Sequence, residues 1–548
     1  MSENNTESKP RKMLALIPLF IALGIIAGVF IGEKISEKGS YNSGTFSTDD
    51  SNPSKLVNII EYIEKNYVDS VSKTQLIDNA LESILADLDP HSSYSSPEET
   101  RASREQLQGS FQGIGIEFMI LRDSLVVLDP ILDGPSMRAG LKPGDRIIEV
   151  DGAVVTGDTL TNELVMGMLK GPGGTKVELK IARKSEPDPL SFQITRGRIP
   201  IESVVSDYMI DTKTGYLKVV RFAQSTAKDF NLGLQRLENE GASQFVIDLR
   251  SNGGGFLSQA IAMSEEFLER NDLIVFTDGA HQSKEETFAR RTGRYKDFPL
   301  AVLINESSAS ASEIVSGALQ DHDRALIVGR RSFGKGLVQN ELPLPDESSI
   351  RLTIARYYTP SGRCIQKPYG DDVAYNDDYE NRYDSGELFS KDSIQYADTL
   401  KYYTAGKRVV YSGGGITPDL FEPLDTNYSI ALLNRVSYSG LVRRFSFDKA
   451  DLSRVRVKEK YPSANLFVEN WSIAEAEWSS FVDEIIGEDI PFSDMDLAIS
   501  RNELELRIKG QIGKYIYGDE ALYRAYNEND PMIKTALDNI NKHLSSLE

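Results

Sequence analysis

Apolar strand patterns alternate with amphipathic helix patterns between residues 216 and 328 of this sequence. The patterns predict strands at 216–221, 244–249, 273–276, 300–304 and 325–328, with helices at 228–240, 257–269 and 309–320. Alternation of this kind favours an α/β core. Open α/β sheets place ligands beyond the carboxyl ends of their strands. We therefore expect the functional residues in the loops that follow these strands.

Small residues fill the loop between the predicted strand at 300–304 and the next helix. The run 305–312 reads Asn-Glu-Ser-Ser-Ala-Ser-Ala-Ser. Small side chains let the backbone turn sharply, and a serine at such a turn has an exposed Oγ near the N–H groups of the helix start. Ser310 is therefore a candidate nucleophile for acyl transfer.

A serine hydroxyl needs a neighbouring group that takes its proton. Histidine is scarce, with four in the chain, and only His322 is close in sequence to the predicted helix after Ser310. A lysine can serve instead if burial lowers its pKa until the amine is neutral. Lys335 lies between Gly334 and Gly336, with apolar residues following, and fits this need. A Ser–Lys pair is an established variant of the catalytic triad.

Several further motifs occur in a fixed order around these two residues. They are Asp-Leu-Arg-Ser-Asn-Gly-Gly-Gly at 248–255, Ser-Ala-Ser-Ala-Ser-Glu-Ile at 308–314, Phe-Gly-Lys-Gly-Leu-Val-Gln at 333–339, Tyr-Tyr-Thr-Pro-Ser-Gly-Arg at 357–363 and Gly-Gly-Gly-Ile-Thr-Pro-Asp at 413–419. In these motifs the chain resembles the carboxyl-terminal processing peptidases, also called tail-specific proteases. The resemblance extends over residues 55–425.

The resemblance implies roles for three side chains. Ser310, the middle serine of its motif, would be the nucleophile, and Lys335 would be the base. Gln339 would orient the lysine. The resemblance implies neither a metal nor a cofactor.

The resemblance also implies an oxyanion hole built from backbone N–H groups. The donors would be Ala311, which follows the nucleophile, and a glycine of 253–255, for which we favour Gly254. Backbone donors that point at a developing oxyanion stabilise the transition state by about 3–4 kcal/mol each. Two interpretations of Glu313 stay open: a partner that holds the charge of the site, or an acid that complements the helix dipole.

Shorter motifs in the same stretch allow other interpretations. Residues 332–335 match the Ser-x-x-Lys pattern of penicillin-binding proteins, but Gly334 and Gly336 disfavour the helix that this pattern requires. Residues 329–336 nearly match a phosphate-binding P-loop, yet Gly336 replaces the Ser or Thr that would bind magnesium. The Ser-x-x-Lys pattern is short enough to recur by chance, and it also occurs at 70–73 and 225–228.

Residues 109–191 resemble a PDZ domain. The resemblance rests on Phe-Gln-Gly-Ile-Gly-Ile at 111–116 and on the run from 133 to 152. Gly113 and Gly115 would form a backbone loop whose N–H groups face a terminal carboxylate, and the next strand would add the peptide as an extra strand. Ile114 and Ile116 would line the pocket for the last side chain. A preference for apolar carboxyl-terminal tails follows.

The amino-terminal segment predicts the compartment. Residues 13–32 are uncharged and as a helix would span about 30 Å, the thickness of a bilayer core. Lys9, Arg11 and Lys12 precede this segment, so the positive-inside rule leaves residues 1–12 in the cytoplasm. The predicted location is the inner (cytoplasmic) membrane, with a single-pass anchor and the catalytic body in the periplasm or cell exterior. A cleaved signal peptide is the alternative.

Charge and cysteine content restrict the partners. The net charge of −21 and the isoelectric point near 4.9 argue against nucleic acid and against polybasic docking on anionic lipid. A single cysteine, Cys364, excludes an internal disulfide. The expected partners are the carboxyl-terminal tails of proteins, the membrane through the amino-terminal helix, and a second copy of the chain.

The chain is predicted to be a multidomain α/β protein. Beyond the cytoplasmic tail and the anchor, the predicted regions are a linker at 33–52, a helical segment at 53–107, a PDZ domain at 108–192, a protease core at 193–429 and a mostly helical region at 430–548. The resemblance implies a core of the crotonase or ClpP type into which the PDZ domain is inserted. Residues 369–407 are predicted to be an acidic insertion, most simply a solvated surface loop.

The expected function is that of a membrane-anchored serine endopeptidase. Its PDZ domain would bind carboxyl-terminal tails, and its Ser–Lys dyad would hydrolyse peptide bonds. The main alternative is a catalytically silent peptide-binding or chaperone-like module, and a transpeptidase is a third. The sequence leaves open whether the PDZ domain controls access to the active site.

Overall fold

The computed structural model describes residues 54–157, 159–370, 375–394 and 400–545. The predicted cytoplasmic tail at 1–12, anchor at 13–32 and linker at 33–52 lie outside these ranges. Within them, no helix has both the length and the apolar character needed to cross a bilayer.

The chain divides into two compact units, residues 1–81 and 82–548. The described part of the first unit contains helix α1 (Ser54–Asn66) and the first residues of helix α2 (Lys73–Ala86). Lys73 Nζ lies 3.3 Å from Glu61 Oε1. The helical periodicity in this segment is confirmed.

The second unit contains the remaining elements, numbered in chain order. Its strands are β1 (Ser93–Ser95), β2 (Ser110–Gly113), β3 (Ile116–Leu121), β4 (Ser124–Pro130), β5 (Arg146–Val150), β6 (Ala153–Val154), β7 (Lys176–Ala182), β8 (Leu190–Thr195), β9 (Gly197–Pro200), β10 (Val204–Met209), β11 (Thr214–Val219), β12 (Gln244–Asp248), β13 (Leu273–Gly279), β14 (Gln282–Phe288), β15 (Leu300–Ile304), β16 (Leu326–Gly329), β17 (Leu337–Pro343), β18 (Ser349–Tyr358), β19 (Lys401–Tyr403), β20 (Val409–Tyr411) and β21 (Leu420–Phe421). Its helices are α3 (Pro97–Gln108), α4 (Pro135–Ala139), α5 (Asn162–Leu169), α6 (Thr226–Asn239), α7 (Leu257–Ser264), α8 (Ala311–Asp321), α9 (Asp378–Asp384), α10 (Ile430–Tyr438), α11 (Leu441–Lys460), α12 (Ala464–Asn470), α13 (Glu475–Gly487), α14 (Asp494–Tyr517), α15 (Asp519–Asn527) and α16 (Pro531–Ser545).

A six-stranded sheet with the order β10-β11-β12-β15-β16-β21 forms the centre of the region predicted to be the protease core. All its neighbours pair in parallel except β10 and β11. Strands β12 and β15 are buried along their whole length. Such strands read as continuous apolar runs because helices cover both faces of a parallel sheet. The predicted α/β core is therefore confirmed.

The two faces of this sheet are covered by different parts of the chain. Helices α6, α7 and α8 contribute to the apolar cluster on one face. On the other face, Tyr216, Val246 and Leu303 cluster with Ile533 and Ile540 of α16. The carboxyl-terminal helix thus completes the protease core.

A second sheet, with the order β1-β18-β13-β14, lies beside the core, and β17 pairs with β18. Strand β18 reaches from β1 to β13 and carries Tyr357 near its end. This sheet brings the segment around residue 91 close to residues 335–339 of the protease core.

The PDZ region forms its own sheet with the order β3-β4-β5-β7-β8, in which β6 pairs with β5. Strand β3 is an edge strand, as strand addition of a peptide requires. Strands β2 and β9 pair with each other, from Ser110 opposite Pro200 to Gly113 opposite Gly197. The chain therefore enters and leaves the PDZ domain through one two-stranded ribbon.

The region from α10 to α15 is helical, as predicted. Its apolar cluster includes Phe445, Phe467 and Phe481, and also Leu121 and Val126 of the PDZ sheet. This region is therefore packed against the PDZ domain.

Candidate active site

Ser310 lies where the strand β15 passes into helix α8, as the sequence predicts. It is the N-cap of α8 and has φ 56° and ψ −113°. A residue other than glycine with positive φ is strained, and such strain clusters at active sites. The nucleophile elbow of other hydrolases presents its serine on a comparably sharp turn between strand and helix.

Two asparagines hold this turn in place. Asn305 Oδ1 accepts the N–H of Ser251 at 2.7 Å, and Asn305 N–H donates to Ser308 Oγ at 2.9 Å. The buried Asn252 accepts the N–H of Ala309 at 3.0 Å on its carbonyl oxygen. The loops after β12 and β15 are therefore fastened to each other, so the turn around Ser310 keeps its strained conformation.

Gly254 packs directly against the nucleophile. A Cβ at this position would lie 2.8 Å from Ser310 Cβ and 2.9 Å from the backbone nitrogen of Ala311, and φ is 99°. Only glycine fits both the contact and the left-handed backbone. The proximity predicted for Gly254 and Ala311 is thus present.

The two predicted oxyanion donors differ in their hydrogen bonds. Ala311 is the first residue of α8, where a backbone N–H has no acceptor within the helix. The Gly254 N–H, in contrast, donates to Asn252 Oδ1 at 2.9 Å. In this structure Gly254 would have to exchange that acceptor before it could bind an oxyanion.

Lys335 lies in the loop between β16 and β17. Its Nζ donates to Gln339 Oε1 at 3.0 Å, and Gln339 Nε2 donates to the carbonyl oxygen of His91 at 2.5 Å. Burial, and then the charge of Arg351, lower the pKa of Lys335 from its usual 10.5. A lowered pKa makes the neutral amine more accessible, as a general base requires.

Glu313 is fully buried and binds the backbone of both predicted catalytic residues. Its Oε2 accepts the N–H of Ser310 at 2.8 Å and the N–H of Lys335 at 2.9 Å. Its Oε1 accepts the N–H of Gly334 at 2.7 Å and the hydroxyl of Ser332 at 2.5 Å. The structure supports both interpretations left open for Glu313, because its carboxylate caps the amino-terminus of α8 through Ser310 and also binds the loop that carries Lys335.

Burial raises the pKa of Glu313 to about 7, although its four donors act in the opposite direction. All four neighbours present a hydrogen to this carboxylate, so the ionised form satisfies the arrangement best. The geometry of Ser310 and Lys335 is therefore coupled to the ionisation of Glu313.

Tyr357 provides a second link between Ser310 and Lys335, in addition to Glu313. Its hydroxyl lies 3.1 Å from the carbonyl oxygen of Ser310 and also bonds to the carbonyl oxygen of Lys335. Among the described hydrogen bonds, Lys335 Nζ bonds to Gln339 and not to Ser310 Oγ. The structure thus brings the two backbones together and leaves the proton transfer path between their side chains unformed.

An aromatic cluster that the sequence did not predict lies beside Lys335. His91 Nε2 and Tyr375 Oη are 2.6 Å apart, and Lys367 Nζ lies 4.2 Å from the ring centre of Phe333 and 4.1 Å from that of Tyr375. Burial, together with the nearby Lys335, lowers the pKa of His91 to about 4. His91 is therefore neutral near pH 7.

The described part of the acidic insertion has many exposed side chains, as predicted for a surface segment, but several of its residues are packed against the protease core. Arg382 is 4% exposed and Leu388 is completely buried. Arg382 donates to the carbonyl oxygen of Arg331 at 2.6 Å, while Arg331 and Glu387 are paired at 2.7 Å. The charged residues of this segment bind each other and the loop before Lys335, because burial leaves unpaired charges costly.

Ser332 and its neighbours match neither of the shorter motifs. Ser332 is completely buried and its hydroxyl donates to Glu313. Residues 330–336 are not helical, whereas both the Ser-x-x-Lys motif and the P-loop need a helix here. The interpretations as a penicillin-binding protein or a nucleotide-binding protein are therefore not supported.

The predicted tail-binding loop of the PDZ domain lies between β2 and β3. Gly113 ends β2, and Ile114 is buried in the PDZ core. No acceptor for the N–H groups of Ile114 and Gly115 is found among the backbone bonds of the described residues. Ile116 begins the edge strand β3 and packs partly buried against the same core. The loop therefore has the free donors that a carboxylate needs.

Three family models match separate parts of the chain. Peptidase family S41 matches residues 213–375, the PDZ domain matches residues 112–194, and a family of unknown function matches residues 432–518. These ranges agree with the core, the PDZ sheet and the helical carboxyl-terminal region described above.

A carboxy-terminal-processing protease of Bartonella bacilliformis is 41% identical over 313 residues, which are 56% of this chain and 71% of that protein. The chain belongs to the carboxy-terminal processing protease family. The carboxy-terminal processing protease CtpA of Bacillus subtilis is 34% identical over 59% of this chain and 68% of its own length. A solved photosystem II D1 C-terminal processing protease is 29% identical, covers 58% of this chain and 91% of its own, and has a TM-score of 0.32.

Membership of the carboxy-terminal processing protease family makes the chain a serine-type peptidase that carries a PDZ domain. The prediction of family and of enzyme class from the sequence is thereby confirmed. The S41 match contains both Ser310 and Lys335.

Proposed function

We propose that this protein is a membrane-anchored endopeptidase that binds the carboxyl-terminal tails of proteins and cuts them with a dyad of Ser310 and Lys335. The observation that carries the proposal is the double connection between these residues. Glu313 Oε2 accepts both of their N–H groups, and the Tyr357 hydroxyl bonds to both of their carbonyl oxygens. Two shared partners hold a serine and a partly buried lysine side by side, as general-base activation requires.

In the proposed reaction, the neutral amine of Lys335 takes the proton of Ser310 Oγ as that oxygen attacks the carbonyl carbon of the scissile bond. Gln339 Oε1 accepts one amine hydrogen and so orients the nitrogen lone pair. The oxyanion binds the N–H of Ala311 and, once the bond to Asn252 is released, the N–H of Gly254. The ammonium of Lys335 then returns its proton to the leaving amine.

The acyl-enzyme that remains is an ester between Ser310 and the amino-terminal part of the substrate. Lys335, again neutral, takes a proton from a water molecule that attacks this ester. Ser310 regains its proton from Lys335 as the ester bond breaks. Apart from the substrate and this water molecule, both steps use only groups of the chain.

The PDZ domain would hold the substrate by its terminus. A tail that pairs with the free edge of β3 would direct its carboxylate at the N–H groups of Ile114 and Gly115. Membrane attachment through residues 13–32 is part of the proposal and rests on their uncharged length and the preceding Lys9, Arg11 and Lys12. It places the peptidase outside the cytoplasm.

The test uses the full chain in detergent and its Ser310→Ala and Lys335→Ala variants. Each is incubated with an unfolded protein that ends in apolar residues, and products are identified by mass spectrometry. We expect cleavage by the unaltered enzyme only, and equal tail binding by all three proteins. Tail binding without cleavage by any of them would instead support a silent peptide-binding module. The observation that favours this second candidate is that Lys335 Nζ donates its hydrogen bond to Gln339 and not to Ser310 Oγ.

A further inference from the structure

Besides an ion pair between Lys170 and Glu105 of α3, two connections attach the PDZ domain to the rest of the second unit. One is the ribbon of β2 and β9, through which the chain enters and leaves. The other is region 432–518, for which the matching family has no known function. A two-stranded ribbon alone would let the domain swing, because few contacts cross it.

Strands β3 and β4 carry apolar side chains on both of their faces along most of their length. On β4, Leu125 and Val127 belong to the PDZ core, whereas Val126 and Leu128 belong to the cluster of the carboxyl-terminal helices. None of these four side chains is more than 1% exposed. Leu121 of β3 also faces the helices. We call Leu121, Val126 and Leu128 the outer face.

Antiparallel sheets commonly leave one face to water, with polar side chains on it. The outer face lacks this alternation, so it is built for a partner that stays in place. Removing region 432–518 from it would expose three fully buried aliphatic side chains to water. The arrangement in which region 432–518 covers the outer face is therefore strongly favoured over one in which the PDZ domain has moved away.

Ion pairs surround the outer face and fix its orientation. They join Arg122 to Asp448 at 2.7 Å, Lys514 to Glu117 at 3.2 Å, and Lys184 to Asp451. Gly144 lies so close to Asp451 that a Cβ would collide with its carboxylate, and φ is 87°. Partly exposed pairs add little affinity, but they select one orientation.

We propose that region 432–518 holds the PDZ domain at a fixed separation from Ser310, so that the enzyme cuts a set number of residues before the terminus that it has bound. The inference rests on the proposed function, in which the bound tail and the scissile bond belong to one chain. An extended chain advances by about 3.3–3.6 Å per residue, so a fixed separation specifies a count of residues. The region of unknown function thereby sets the length of the product.

The first test uses the unaltered full chain. Unfolded substrates share one terminal tail and one upstream sequence, and Gly-Ser pairs inserted between them vary the spacing. We expect the number of residues removed to stay constant while the cut moves along the sequence. A cut that stays at one sequence whatever the spacing would overturn the inference and leave the proposed function intact. Absence of any cleavage would overturn both.

The second test compares two adjacent valines of β4. Val126→Asp places a carboxylate on the outer face, where separation from region 432–518 returns it to water. Val127→Asp places it in the PDZ core instead. We expect the first variant to retain tail affinity within about threefold and to cut at several spacings, and the second to lose tail binding. A single unchanged spacing in a tail-binding Val126→Asp enzyme would contradict the proposal.

A charge-reversal pair serves if Val126→Asp does not fold. Asp448→Arg combined with Asp451→Arg sets like charges against Arg122 and Lys184, whose side chains are 69% and 63% exposed. We expect a broader set of cut positions, and a return to one position when Arg122→Asp and Lys184→Asp are added. A broadening that the compensating changes do not reverse would overturn the assignment of this contact.

Discussion

The carboxylate of Glu313 accepts the backbone N–H of Ser310 at 2.8 Å, one helical turn back along the chain. The same oxygen accepts the N–H of Lys335, and the other oxygen binds Gly334 and Ser332. One buried acid therefore determines how the nucleophile and the base lie with respect to each other.

Glu313→Gln should reduce cleavage more than a hundredfold and lower the melting temperature. An amide in place of the carboxylate turns an NH₂ group toward backbone donors, and each unsatisfied donor costs about 1–3 kcal/mol. Glu285→Gln, at an exposed position of β14, is the control. Activity is measured by peptide cleavage and stability by thermal unfolding. Unchanged activity in Glu313→Gln would show that the carboxylate does not hold the dyad.

The cleavage rate should rise with pH and level off below pH 10.5, the usual pKa of a lysine. The base must be neutral, and burial lowers the pKa of Lys335, so the active form is gained as pH rises through that lowered value. Glu313, with its pKa raised to about 7, loses its charge as pH falls below that value and adds to the loss of activity in acid. A rate that rises until pH 10.5 would contradict a buried lysine base. The measurement is kcat/KM across the range in which the protein stays folded.

Gly254→Ala should abolish cleavage, whereas Gly253→Ala should retain most of it. A Cβ at Gly254 would lie 2.8 Å from Ser310 Cβ on a backbone with φ 99°, and a Cβ at Gly253 meets nothing within 4 Å. The adjacent glycine thus controls for the general effect of adding a methyl group to this loop. An equal loss of cleavage in the two variants would show that any methyl group added to this loop is harmful, and would contradict a specific requirement for glycine at 254.

Tyr375→Phe should lower cleavage by about threefold to tenfold without a change in tail affinity. It removes the hydroxyl that bonds to His91 Nε2, and a typical hydrogen bond contributes about 0.5–1.5 kcal/mol. His91 in turn positions Gln339 through its carbonyl oxygen. Tyr379→Phe, at a position 49% exposed on the same segment, is the control. A drop that is the same for both variants would exclude this role for Tyr375.

Ile540→Ala should destabilise the whole protease core by about 2–5 kcal/mol, the usual range for truncating a buried isoleucine. Ile540 is completely buried on the core sheet opposite helices α6 to α8. Lys534→Ala, at an exposed position of the same helix, should change stability by less than about 0.5 kcal/mol. Denaturant unfolding distinguishes the two. A small effect of Ile540→Ala would mean that α16 is dispensable for the core.

The local parts of the site were predictable because they depend on short stretches of sequence. Ser310 follows from small residues between a strand and a helix, and Lys335 from its motif. His91 and Tyr375 were not predictable, because they are 284 positions apart and meet only through the pairing of β1 with β18 and the packing of the insertion. Neither the spacing nor the composition of the sequence carries that information.

The fold likewise has parts that local sequence predicts and parts that depend on long-range packing. Most strands and helices of 216–328 follow from periodicity, but β14 (Gln282–Phe288) was not predicted and α7 ends at Ser264 instead of residue 269. The helical nature of 430–548 follows from periodicity as well. The run Leu125-Val126-Val127-Leu128 did contain a signal for two buried faces, since continuous apolar residues indicate a fully covered strand. Which part of the chain covers the second face depends on long-range packing. That packing places region 432–518 there.

Helix α16 has a consequence for how the protein is made. Val246 and Leu303 of the central strands remain open to water on one face until residues 531–545 have been synthesised and folded back. A growing chain therefore already contains Ser310 and Lys335 while the sheet beneath them is still incomplete. The stabilisation that α16 gives to this sheet is therefore absent until the polypeptide has been completed through residue 545.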